Sequence, residues 1–457
     1  MRSRYLYITL LSVLSLQAEA QGTPGVKSVP RLVVNINIDQ LDSDHLEWYS
    51  SSFGEGGFLR LLAEGMVFER ASYPFEHPDR ASAITTLVTG THPFYHLITG
   101  QQWVSRTTLR RIHCTEDPQH PGIPSPMQIA VSTIGDELKL STDGQGKVFA
   151  FAPMCDAAVL SAGHAADGAF WTDPTRWCWT GSQYYSNTMP SWLLNFNELK
   201  KPKRRNKKYQ DQWLQQQQFC LTDLAANCIE QEGLGQDSIP DLLLLTLDAS
   251  RQDEQTYVEI DRSLSRLIAK TDSIVGHSQT LYILTSTGYH TSQAADQELY
   301  RIPTGTFYIN RTANLLNMYF GAVWGTGRYV ETCLKDQIYL NHQYLESKQL
   351  KLTDVLQRAQ EFISQMSGVK RVTTNSFHTN LGDLQVEVAP GWHIQDEDTH
   401  EDWLVQLGYH AFPIIVVGPG ITPRHVTSHV SVDRIAPAIA KAIRIRAPNA
   451  CKSEPLF

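Results

Sequence analysis

Along this chain the apolar positions gather into short continuous runs rather than alternating stripes. "RLVVNINIDQ" (31–40) reads as a buried strand with a carboxylate at its carboxyl end, and the helix-like "GGFLRLLAEGM" (56–66) follows it. "DLLLLTLDAS" (241–250) is a second such strand, succeeded by the helical "TYVEIDRSLSRLIAKTDSIV" (256–275) and then by the strand "TLYILTSTG" (280–288). Near the C-terminus "FPIIVVGPG" (412–420) is another buried strand that ends in turn glycines, and "VDRIAPAIAKAIRI" (432–445) has the period of an amphipathic helix. Strands this apolar need cover on both faces. The expected fold is therefore α/β, a mostly parallel central sheet flanked by helices.

Between these runs, residues of roughly 100–235 are richer in Trp, Tyr, Pro and Gln and poorer in strong strands, so they read as an insertion or cap on the core. Inside it, seven of the nine residues from Lys200 to Lys208 are basic. That run is either a solvated loop or a dock for an anionic surface such as lipid phosphates or a protein partner. The chain has no internal repeat.

Composition changes the picture only at the edges. A chain of 457 residues with 42% hydrophobic and 19% charged residues can bury a large core, and its formal charge of −8 argues against nucleic acid as a partner. The first twenty residues place Arg2 and Arg4 before a short apolar run that ends in Ala18-Glu19-Ala20, the pattern of a signal peptide cut before Gln21. A periplasmic or otherwise exported protein is expected, with the mature domain over 21–457. No cysteine follows the cut for lipid attachment, and no later run is apolar enough to span a membrane. The seven cysteines are scattered without a CxxC, which favours structural pairing or plain burial over a thiolate metal site.

Eight segments in order carry a family resemblance: "VVNINIDQ" with "FGEGGFLRLLAEGM", "TLVTGTHP", "TIGDELKL", "AVLSAGHAADGAFW", "QYYSNTMPSWLLNFN", "EIDRSLSRL" and the tail "VSVDRIAPAIAKAIRIRAPNAC". With them the chain resembles the periplasmic, phosphate-irrepressible alkaline phosphatases of the alkaline phosphatase superfamily. The resemblance implies two zinc ions at the carboxyl ends of the strands, held by six Asp and His ligands, with a Thr or Ser nucleophile between them.

Carried across residue by residue, that resemblance meets a degenerate site. Asp39 matches the first metal-binding Asp. The nucleophile position falls on Arg80, which cannot attack phosphorus, and Ser82 is the fallback hydroxyl. Other ligand positions fall on Arg251, Thr287 and Gly288, while His400 is a candidate survivor of the last one. The positions that grip phosphoryl oxygens fall on Gln101, Met154 and Asp156, and an aspartate there repels the dianion such a site should hold.

Two functions remain open on this reading. One is a catalytically inactive phosphatase fold without a cofactor, acting as a binding or scaffold module for an unidentified envelope protein or an anionic surface ligand. The other is a zinc-dependent hydrolase of phosphate or sulfate esters with a rearranged site built from Asp39, Ser82, Asp248 and His400. Arg80 and Arg251 both fall at metal-facing positions, and under the first function at least one of the two guanidinium groups is expected within salt-bridge reach of Asp39, because the metal's charge then has a replacement.

Overall fold

The structure is a computed structural model that describes residues 28–201, 210–291, 303–375, 380–403, 406–407 and 411–457. The signal-like segment and most of the basic run from Lys200 lie outside the described residues.

Eight strands form the body of a ten-stranded sheet: β1 (Leu32–Asp39), β2 (Met66–Ser72), β3 (Val148–Phe151), β4 (Gly168–Asp173), β5 (Cys178–Gly181), β6 (Asp241–Asp248), β7 (Thr280–Ser286) and β8 (Phe412–Val417). Two short segments, Arg424–Val426 and Val430–Ser431, pair with β2 at one edge. Across the sheet the order runs β2, β8, β7, β1, β6, β3, β4, β5. β7, β1, β6, β3 and β4 are parallel, and β8 and β5 are antiparallel to their neighbours. Every residue of β1 is buried, Asn35, Asn37 and Asp39 included, as a strand covered on both faces requires.

Helices complete the layers: α1 (Phe58–Glu64), α2 (Arg80–Thr89), α3 (Cys155–Ala162), α4 (Gln210–Glu232), α5 (Glu254–Ile274) and α6 (Ile435–Ile443). The α2, α3 and α6 helices pack on one face with Val33, Leu242 and Ile283, and α1, α4 and α5 pack on the other with Val34, Leu243 and Tyr282. The entry into α1 depends on a buried carboxylate: Asp261 accepts from the backbone N–H of Gly54 at 2.8 Å and of Phe58 at 2.7 Å. Gly57 lets the chain pass, since a Cβ there would lie 2.2 Å from Asp261 Oδ1.

The insertion expected over 100–235 needs correcting. Residues 148–181 supply β3, β4 and β5 to the central sheet, and α3 covers them, so this stretch belongs to the core. Its strands are only four to six residues long and are richer in Ala, Phe and Trp than in Val and Ile. Their burial comes from neighbours distant in sequence, which local periodicity does not register. The segment with a separate core lies later, where a four-stranded sheet of Val330–Leu334, Gln337–Leu340, Val369–Thr374 and Leu384–Val388 packs with helices Ile309–Trp324 and Leu352–Ile363. Cys114 and Cys228 are fully buried. Among the described residues no helix is long and apolar enough to cross a membrane.

Candidate functional site

The carboxyl ends of β1, β6 and β7 meet at one point of the sheet, where ligands of parallel α/β sheets gather. Asp39 stands opposite Asp248 in register, and Ile38 opposite Ser286, so Thr287 emerges beside the Asp39 carboxylate. The Thr287 hydroxyl donates to Asp39 Oδ1 at 2.7 Å and accepts from the Gln40 N–H at 2.9 Å. Next in the chain Gly288 turns at φ 69°, in a space where a Cβ would lie 2.6 Å from Phe412 and 2.9 Å from Tyr73. Only glycine fits that turn. It returns Tyr289, whose hydroxyl donates to Asp39 Oδ2 at 3.4 Å.

From the other side comes α2. Asp79 is its N-cap, accepting from the Ser82 N–H, and the Ser82 hydroxyl closes the capping box on the Asp79 N–H. The second carboxylate oxygen of Asp79 accepts from the Gln101 N–H at 2.8 Å. This cap fixes Arg80 at the first helical position, facing two carboxylates. Its Nε and Nη2 donate to Asp156 Oδ2 at 3.2 and 3.0 Å, and Nη1 lies 3.5 Å from Asp39 Oδ2 without a hydrogen bond. Gln101 Nε2 adds a third donor to Asp156 Oδ2 at 2.8 Å.

Charge in this knot is unevenly shared. Burial alone would raise the Asp156 carboxyl, but the Arg80 charge and the bonds from Arg80 and Gln101 hold it below the ordinary carboxylate value. Asp39 is 1% exposed; burial pushes its pKa up to about 6, with Asp248 adding to the rise and Arg80 only partly opposing it. The two results are consistent, since the hydrogen bonds of Arg80 go to Asp156 and Asp39 receives its charge at a longer distance. Burial also works against the guanidinium, and Asp156 and Asp39 together overcome it, raising the Arg80 pKa.

The remaining residues singled out from the sequence are dispersed. Ser82 is fully buried, and its hydroxyl donates to Asp79, which leaves it no path to a substrate. Met154 caps α3 without a side-chain hydrogen bond. Arg251 extends outward, its side chain 59% exposed and 3.5 Å from Asp253, which caps α5. His400 is exposed at φ 56° in the loop before Asp402–Trp403, next to Glu401, which binds Arg111 at 2.7 Å. An exposed ion pair of this kind contributes little, so Arg251→Ala should change stability by no more than about 0.5 kcal/mol in urea unfolding.

These donors do not fit the pair of zinc ions that the resemblance implies. The Asp39 oxygens are taken by Thr287 and Tyr289, and a dication there would sit against the Arg80 guanidinium. Among the described residues no three His, Cys, Asp or Glu side chains converge as a metal site. Tyr289 was not singled out from the sequence, although its place one residue past the Gly288 turn could have marked it. His77 and Trp403 left no local signal. They reach the site through a cleft of about 410 Å³ whose walls include Arg80, Gln101 and Tyr289 on one side and Gln337 and Gln385 on the other. A second cavity of about 630 Å³ lies past α3, between Met154, Trp171, Phe219 and Arg251.

Comparison with known proteins agrees with this architecture. The family model of type I phosphodiesterases / nucleotide pyrophosphatases matches residues 33–412. The alkaline phosphatase PafA of Elizabethkingia meningoseptica is 24% identical over 515 aligned positions, covering 93% of this chain and 94% of its own. A protein of Myroides odoratus named calcium-transporting ATPase is 25% identical, covering 92% and 93%. The crystal structure of wild-type PafA superposes with a TM-score of 0.80 at 21% identity, over 94% of this chain and 98% of that one. The central sheet and its flanking helices are thus those of an alkaline-phosphatase-like fold.

Proposed function

The chain belongs to the type I phosphodiesterase / nucleotide pyrophosphatase family, and from that premise we propose that it is an exported member in which catalysis has given way to binding. One of the relatives named above is an alkaline phosphatase. One observation carries the reading for this chain: the Arg80 guanidinium is held between Asp39 and Asp156, filling the space between the first strand end and α3 with a buried ion cluster. A guanidinium has no nucleophilic lone pair to offer phosphorus at any accessible pH. The Asp156 carboxylate that compensates Arg80 also disfavours a phosphate dianion. A module of this kind acts by presenting its cleft or its surface to an envelope partner or ligand.

The test is a turnover assay of the full chain against phosphate monoesters, phosphate diesters and sulfate esters with added zinc. No zinc-dependent turnover is expected, and Arg80→Thr should stay inactive because a hydroxyl alone does not restore the ligands. Chelators should leave the melting temperature unchanged, whereas a metal bound only by the native state at about 100 times its dissociation constant would add about 2.7 kcal/mol. Zinc-dependent turnover abolished by Asp39→Ala would establish the rearranged hydrolase instead.

A further inference from the structure

Resting on that reading, we propose that the cleft beside Arg80 is a binding site for a neutral, polyhydroxylated ligand, an oligosaccharide chain. Its volume of about 410 Å³ is within the range of small-molecule sites, and its walls join the carboxyl end of β1 and the start of α2 to the strands Gln337–Leu340 and Leu384–Val388 of the four-stranded sheet. What selects the ligand class is the chemistry of its walls.

Charge comes first. Arg80 is occupied by Asp156 and Asp39, and Glu387 is paired with Lys370 at 2.6 Å and Arg371 at 3.1 Å. The charges left on the wall are Lys335 against Asp79 and Asp336, so the cleft has no cationic excess with which to draw in a phosphate or sulfate. Neutral polar groups then dominate. Gln337 spends its carbonyl oxygen on the Tyr339 hydroxyl and the Gly382 N–H, and Gln385 spends its NH₂ on Asp336. Among the described residues the opposite end of each amide has no hydrogen bond, and Gln102 makes no side-chain hydrogen bond at all. Three carboxamides with open ends offer donors and acceptors side by side, which is what adjacent sugar hydroxyls require.

Two further atoms ask for a partner. His77 Nε2 and Thr99 Oγ1 are both shielded from solvent and without a hydrogen-bond partner among the described residues, and both residues line this cleft. The half-buried Trp403 supplies an amphipathic ring on the same wall, a surface for the apolar face of a sugar ring.

The experiment titrates the full chain with cello-, malto- and N-acetylglucosamine oligosaccharides, with glucose phosphate and inorganic phosphate alongside, reading calorimetric heat and tryptophan fluorescence. At least one neutral oligosaccharide should bind and quench fluorescence, and Trp403→Ala should weaken it about tenfold. Gln102→Ala, on a side chain with no bond to the rest of the protein, should also weaken it while the melting temperature is kept. The proposal is overturned if none of the oligosaccharides binds, if the phosphorylated sugar or phosphate binds better than the neutral ones, or if both substitutions leave affinity unchanged. Ester turnover in the preceding assays would sink the non-catalytic reading without bearing on this binding measurement, so the two failures are distinguishable.

Discussion

Arg80→Ala is expected to destabilise the protein by about 3–5 kcal/mol at neutral pH, the range for removing one partner of a buried ion pair. The guanidinium is 15% exposed, and it serves two carboxylates exposed by 5% and 1%. Truncation leaves Asp156 with the bond from Gln101 and a neighbouring backbone N–H, and leaves Asp39 with two neutral hydroxyls. The sign of the pH dependence follows from Asp156. Its folded-state pKa lies below the unfolded value, so its stabilising share is present above about pH 4 and fades as pH falls through the folded value. The gap between Arg80→Ala and the parent should accordingly close in acid, where the carboxylates are neutral. Urea unfolding across pH checks this; a loss under about 1 kcal/mol at neutral pH would show that the cluster is not holding buried charge.

Asp39→Asn should act in the opposite direction. The Asp39 pKa is raised to about 6, so its favourable contribution is complete below the unfolded value and is lost as pH rises through the folded one. Keeping that carboxylate ionised at neutral pH costs about 3 kcal/mol, and a neutral amide of the same shape removes the cost. Asp39→Asn should therefore match the parent near pH 4 and exceed its stability by about 2–3 kcal/mol above pH 7. Arg80 keeps its hydrogen bonds to Asp156 in this variant, so no cation is stranded. A metal-holding aspartate would respond with a loss at neutral pH, so thermal melts across pH separate the two cases. Since both residues share one cluster, Arg80→Ala combined with Asp39→Asn should cost less than the single changes added together would if independent.

Much of the scaffold was legible along the chain because continuous apolar runs mark strands buried on both faces. β1, β6, β7 and β8 and the helices α1, α5 and α6 fall where those runs and periods predict them. The end of β1 also announced Asp39, since a carboxylate closing a buried strand must be paired or bound. β3 and β4 were missed as core because four residues of "VFAF" or six of "GAFWTD" carry no period of their own, and they are strands by virtue of β6 alongside.

Position 80 shows how far sequence reached within the site. The arginine, and the aspartate at 156, could be read as substitutions of a reacting group and of a phosphate-gripping one, each unfavourable alone. Their pairing across 76 positions is a property of the fold: α2, capped by Asp79, and the first turn of α3 bring them to 3.0 Å. Arg251 reads like Arg80 in the sequence, yet it follows the carboxyl end of β6 outward, its side chain 59% exposed and beside Asp253. Thr287 and Tyr289 become partners of Asp39 through the parallel register of β7 on β1 and the turn at Gly288. The sequence by itself determined the layered α/β scaffold and put an arginine at position 80 and an aspartate at position 156, since both reside in local pattern and residue identity. Which charges neutralise one another, and which polar groups are left facing the cleft, was decided only by the tertiary structure, because Coulomb and hydrogen-bond energies depend on distances between segments far apart in the chain.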